Sequence, residues 1–153
     1  MKEVVRLEDI MPLLRDAIRA EAPFIFFPRG TSMLPMIRQG LDSVSLVSVS
    51  KRKPQKGEVI LYRRNSGEFI LHRIIRVNKN KSFDTCGDSQ FTLERGVPED
   101  SVTAVLDGFF RENKWVSADD KKYNKYVKKI IRTRWVRYIR AKIARIVKRV
   151  QIK

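Results

Sequence analysis

Only one cysteine and one histidine occur in 153 residues. A lone cysteine excludes an internal disulfide, and one Cys with one His falls short of a protein-built zinc site. Long apolar runs are also missing. The longest, Ala22 to Phe27, has a proline inside it, far short of the roughly 20 residues that span a bilayer. The opening Met1-Lys2-Glu3-Val4-Val5-Arg6 leads into a charged amphipathic segment, without the apolar core or small-residue cleavage site of a secretory leader. Together these absences predict a cytoplasmic chain with no membrane span, no metal and reduced thiols.

Acidic residues are absent from one region. From Lys121 onward there are 14 basic residues and no Asp or Glu. The net charge of +16 is therefore uneven: residues 1–110 hold 17 basic and 14 acidic side chains, and residues 111–153 hold 16 and 3. A nearly neutral body carries a basic tail, and total charge gives no argument for a nucleic-acid protein.

With 42% apolar residues, the chain is long enough to bury one core. Leu7, Ile10, Met11, Leu14 and Ile18 recur at helical spacing, which predicts an amphipathic helix over 8–20. Pro12 is tolerable there only near the first turn. From Pro23 the pattern changes to β-like runs: Phe24–Phe27, Val44–Val49, Val59–Tyr62, Phe69–Val77, Ser82–Cys86, Val102–Phe110 and Lys114–Ser117. Turn chemistry separates them, and Asn65-Ser66-Gly67 between two strong runs signals a hairpin. The expected architecture is mainly β, with a domain over 1–118 and a tail over 119–153.

In the tail Tyr123, Tyr126, Val127, Ile130, Ile131, Trp135, Tyr138, Ile139, Ile143, Ile146, Val147 and Val150 keep the spacing of one helix face. One helix of about 30 residues would be ~45 Å long. Three readings stand: it lies on an anionic membrane surface, it docks its apolar face on the β domain or a partner, or it binds nucleic acid. The third ranks last, because the body contains no nucleic-acid module.

Three segments pair a reactive group with residues that shape the backbone. In Gly30-Thr31-Ser32-Met33-Leu34-Pro35, Gly and Pro flank a serine, so a sharp turn can present its hydroxyl beside backbone N–H groups, as a nucleophile with an oxyanion site requires. In Ile70-Leu71-His72-Arg73-Ile74, period two sets His72 on one face with Ile70 and Ile74. Burial there keeps an imidazole neutral, which suits a general base. Cys86-Gly87-Asp88-Ser89-Gln90 is followed by Glu94, and a carboxylate there can orient an imidazole. Each has an ordinary reading alone: a turn serine, a core histidine, a loop after a strand.

In this order and spacing the segments resemble the signal peptidase I family, in the branch that uses His where other members use Lys. Gly30–Pro35 matches the nucleophile box, Lys56-Gly57-Glu58-Val59-Ile60 the Gly-acid-Val strand, His72-Arg73 the base box and Gly87-Asp88 the third box. The fold, shared with LexA-like self-cleaving domains, spans roughly residues 24–110. The resemblance implies that Ser32 is the nucleophile and His72 the base. It places Glu94 where the triad acid falls, with Asp88 as the other acid of its box. The Ser32 backbone would bind the oxyanion at the Gly30 turn, and Met33 and Pro35 would flank the peptide. No cofactor is implied.

Departures are visible too. Gly30 stands where the family has Ser, Thr31 where it has Gly, and Ser89-Gln90 where an Asn-rich pair is usual. LexA-like repressors also carry a helix-turn-helix for which residues 1–22 are too few. Cys86 is a rival nucleophile by position, although a small buried side chain is its ordinary role. The expectation is a serine endopeptidase acting on a peptide or precursor protein. The alternatives are a non-catalytic module that holds a peptide strand, and a tethering protein acting through its tail.

Overall fold

The computed structural model describes residues 7–151. Helix α1 (Leu7–Arg19) precedes strands β1 (Phe24–Phe26), β2 (Ser43–Val47), β3 (Val59–Arg63), β4 (Phe69–Val77), β5 (Phe83–Cys86), β6 (Glu94–Val97), β7 (Val102–Arg111) and β8 (Lys114–Ser117), then helices α2 (Lys121–Arg132) and α3 (Arg134–Gln151). All strand pairs are antiparallel, in the order β1-β2-β7-β3-β4-β5-β6, with β8 added to β7. The mainly β architecture is the expected one.

Period two builds two cores from one sheet. Val59 and Leu61 join Leu14, Met33, Leu46, Leu106, Tyr123 and Val127 on one face. Ile60 and Tyr62 join Ile74, Phe83, Val97 and Val105 on the other. β3 is buried on both faces for this reason. Pro12 lies in the second turn of α1 as described, not the first, and the helix runs through it. Met11 and Leu14, both buried, hold α1 against the sheet across the missing donor.

The tail is helical but divided at Thr133 rather than one rod. The Thr133 hydroxyl and N–H both donate to Lys129 O, at 2.8 and 2.9 Å. Arg137 donates to Ile130 O at 3.1 Å, so side chains satisfy carbonyls that the helix end leaves open. α2 buries Tyr123, Val127 and Ile130, and its first turn is capped by Asp120, which accepts from Lys122 N–H at 2.7 Å. Apolar spacing runs through the break, so it left no mark in the sequence.

Candidate active site

Ser32 lies in the turn between β1 and β2, and that turn is held from below. Asp42, fully buried, accepts from Arg38 Nη2 at 2.8 Å and from Arg111 Nη2 at 2.9 Å. Burial pushes the Asp42 carboxyl up, but the hydrogen bonds from Arg38 and Arg111 outweigh it and hold it at about 2. Arg111 also donates to Met36 O at 2.6 Å. Met33 is buried in the first core. It anchors the turn and, contrary to expectation, offers no surface to a peptide. Pro35, reached through a cis Leu34–Pro35 bond, is exposed.

Gly30 has φ +91°, a region that favours glycine. A serine at this position would be strained. The Gly30 N–H donates to Gln39 Oε1 at 3.2 Å, so it is not free for an oxyanion. Leu34 N–H donates to Thr31 O at 3.1 Å and Ile37 N–H to Met33 O at 2.9 Å. The turn's backbone bonds leave the Ser32 N–H without an acceptor among the described residues.

The third segment closes on this turn. Ser89 N–H and Oγ both donate to Ser32 O, at 2.9 and 3.0 Å, and Ser89 Oγ reaches Thr31 O at 2.8 Å. A Cβ on Gly87 would lie 2.5 Å from Ser32 O and 2.9 Å from Ser32 Cβ. Only glycine permits that approach. The Ser32 turn and the β5–β6 loop are thereby one unit.

His72 pairs with Ile60 across β3 and β4, so it shares the second core's face, as period two predicts. It is buried, its Nδ1 has no hydrogen-bond partner, and burial pushes its imidazole down to about 4. At neutral pH it is uncharged. It lines a cleft of about 650 Å³ with Arg64, Ser89, Leu93, Glu94, Tyr138 and Lys142 among the other walls.

The two acids part company. Asp88 binds Arg73, which follows His72 in β4 and therefore points to the opposite face. Arg73 is fully buried, and Tyr126 of α2 also donates to Asp88, at 3.0 Å. Asp88 is a structural acid and does not orient His72. Glu94, opposite Thr85 in the sheet, lies on the face of His72. Hydrogen bonds from Arg64, at 2.6 to 3.1 Å, hold its carboxyl below the ordinary range, and Tyr62 donates to it at 2.7 Å. It stabilises a charge on His72 electrostatically, but no hydrogen bond joins the two.

Ser89 touches the Ser32 turn and lines the His72 cleft, and so connects the two segments. Ser32 and His72 share no hydrogen bond, and Ser32 is not itself among the lining residues. Cys86 is buried and donates to Gln90 O and Thr92 O, each at 3.3 Å, and burial raises its thiol, which makes it a poor nucleophile. Arg64, Arg73, Tyr126 and Arg137 escaped sequence reasoning, since their partners lie far off in the chain. Arg73 follows His72 in β4 and so lies on the opposite face of the sheet. Among the described residues no group of three or more His, Cys, Asp or Glu is arranged to hold a metal, and no helix is long and apolar enough to cross a membrane. No protein-family model matches the chain, and no curated protein is significantly similar to it.

Proposed function

We propose that the protein is a serine endopeptidase of the signal peptidase type, working through a Ser32–His72 dyad. One observation carries this reading: a buried, neutral histidine opens on a cleft whose wall, Ser89, is bonded to the Ser32 turn. Its Nδ1 is shut in, so Nε2 is the nitrogen that works. A bound peptide draws Ser32 Oγ into reach of Nε2, a bond that free enzymes often leave long. Oγ attacks the carbonyl carbon as Nε2 takes its proton, and the Ser32 N–H donates to the oxyanion. Collapse breaks the C–N bond, with the proton passing from His72 to the leaving amine. Water, deprotonated by the same nitrogen, then attacks the acyl carbon, and the proton passes to Ser32 Oγ as its bond to the acyl group breaks.

Lys142 and Arg145 line the cleft, while its one carboxylate, Glu94, is already paired with Arg64. This charge balance favours a substrate with an acidic side chain near the cleaved bond. A cytoplasmic precursor peptide is the substrate class that fits this reading. The absence of a Ser32–His72 hydrogen bond favours a second reading, in which the cleft holds a peptide without cutting it.

Both are decided by one comparison. Wild type and Ser32→Ala are incubated with a serine-acylating fluorophosphonate and with a peptide library that varies acidic positions. Labelling and cleavage by wild type alone support the dyad. Equal behaviour of the two proteins overturns the dyad.

A further inference from the structure

α3 is mounted with its polarity reversed. Arg134, Arg137 and Ala141, one stripe at spacing three and four, are its only half-buried residues from Arg134 to Lys148. Arg137 donates to Asp88 O at 2.8 Å, Arg134 donates to Phe91 O, and Tyr138 meets Phe91 edge to face at 6.1 Å. Cations therefore tie this helix to the carbonyls of the 88–91 loop. At 3.6 residues per turn, Trp135, Val136, Ile139, Ile143, Ile146 and Val147 fall within an arc of about 120° on the other side. All six are exposed, Trp135 at 69% and Ile143 at 54%. A contiguous apolar stripe left in solvent marks an interaction surface.

Charge selects the occupant. The arc is bordered by Arg140 on one side and Lys142 on the other, both exposed, and no acid occurs from Lys121 onward. Two copies facing each other would set these cations together with nothing to offset them. An anionic lipid surface supplies the opposite charge at the borders, an apolar layer for the arc, and an interfacial position for Trp135.

We propose that α3 docks by this outward face on an anionic membrane surface, lying in its plane. Tyr138 and Lys142 of the same helix line the His72 cleft, so docking holds that cleft beside the lipid and gives it first access to peptides gathered there.

The test is co-sedimentation of the full chain with vesicles of phosphatidylcholine, alone or mixed with phosphatidylglycerol. The variant Ile139→Gln/Ile143→Gln removes apolar surface without changing charge, and both sites are solvent-exposed, so folding is checked by thermal melting. Wild type is expected to bind the mixed vesicles, weaken with salt, and exceed the variant by about tenfold or more. Trp135 emission shifts to the blue on binding, and Trp135→Phe loses the shift. Failure to bind the mixed vesicles, or equal binding by the variant, overturns the proposal. So does a dimer in sedimentation equilibrium that the variant dissolves, which would make a second copy the occupant. Ser32→Ala binds as wild type does, so this result stands apart from any result on cleavage.

Discussion

Arg73 and Asp88 form a two-pronged ion pair, with Nε to Oδ1 and Nη2 to Oδ2 both at 2.7 Å. Both side chains are essentially inaccessible, at 0% and 2%. Arg73 donates further to Gly57 O at 2.7 Å and to Tyr123 at 3.2 Å, and Asp88 accepts from Tyr126 at 3.0 Å. The pair therefore clamps α2 to β4 and to the loop that carries Ser89. Breaking it by Arg73→Met strands a buried carboxylate and costs about 3–5 kcal/mol. The double replacement Arg73→Met/Asp88→Leu costs less than Arg73→Met alone. Urea unfolding of the three proteins checks the order; a double variant worse than Arg73→Met would contradict it.

Gly87→Ala tests whether the loop and the Ser32 turn act as a unit. The new methyl has no room against Ser32 O and Cβ, and both neighbours are backbone or close to it. Overpacking of this kind costs about 1–3 kcal/mol, which leaves the sheet folded. The expected result is a small loss of melting temperature with acylation of Ser32 reduced by about tenfold or more, since misplacement near 1 Å can cost about a hundredfold. Wild-type acylation in a stable variant would show that the contact does not position the serine.

How much of this was readable beforehand depends on whether the signal was local. β4 and β8 match their β-like runs end to end, because Phe, Ile, Val and Trp favour strands there and turn residues bound them. β6 was missed: Glu94-Arg95-Gly96-Val97 has one apolar residue and lies at the sheet edge, where pairing alone makes it a strand. His72 could be placed by alternation alone. Its lack of a carboxylate partner could not, since Arg64 captures Glu94 from 30 residues away. The orientation of α3 was equally hidden. Periodicity identifies an apolar face but not what it faces, and here the arginine stripe won the contact with the body.

Titration of His72 gives a stability signature. Its imidazole falls from 6.5 to about 4 on folding, because burial disfavours the cation. Below pH 6.5 the unfolded chain takes up a proton that the folded one refuses, so stability is lost as pH drops from 6.5 towards 4. The full loss is about 3 kcal/mol. His72→Gln cannot titrate, so the stability gap between it and wild type narrows over this window. A constant gap from pH 7 to pH 4.5 would refute the burial argument. The acid limb of kcat/KM should lie near the same low value, with a plateau through neutrality.

Glu94 separates a dyad from a triad. A triad acid accepts a hydrogen bond from Nδ1–H and so holds the imidazole in place, and losing it costs about 10⁴ in kcat. Here Nδ1 has no partner, and both carboxylate oxygens of Glu94 are occupied by Arg64, with Tyr62 adding a bond to Oε2. What Glu94 supplies is a nearby negative charge in a half-screened position, a far weaker influence on the imidazolium. Glu94→Gln should therefore lower kcat by about tenfold or less, against about 10³-fold or more for His72→Ala. Its effect should also shrink as salt is added, since a field acts through solvent where a hydrogen bond does not. Equal losses for Glu94→Gln and His72→Ala, insensitive to salt, would mean that substrate binding swings Glu94 from Arg64 onto Nδ1 and assembles a triad.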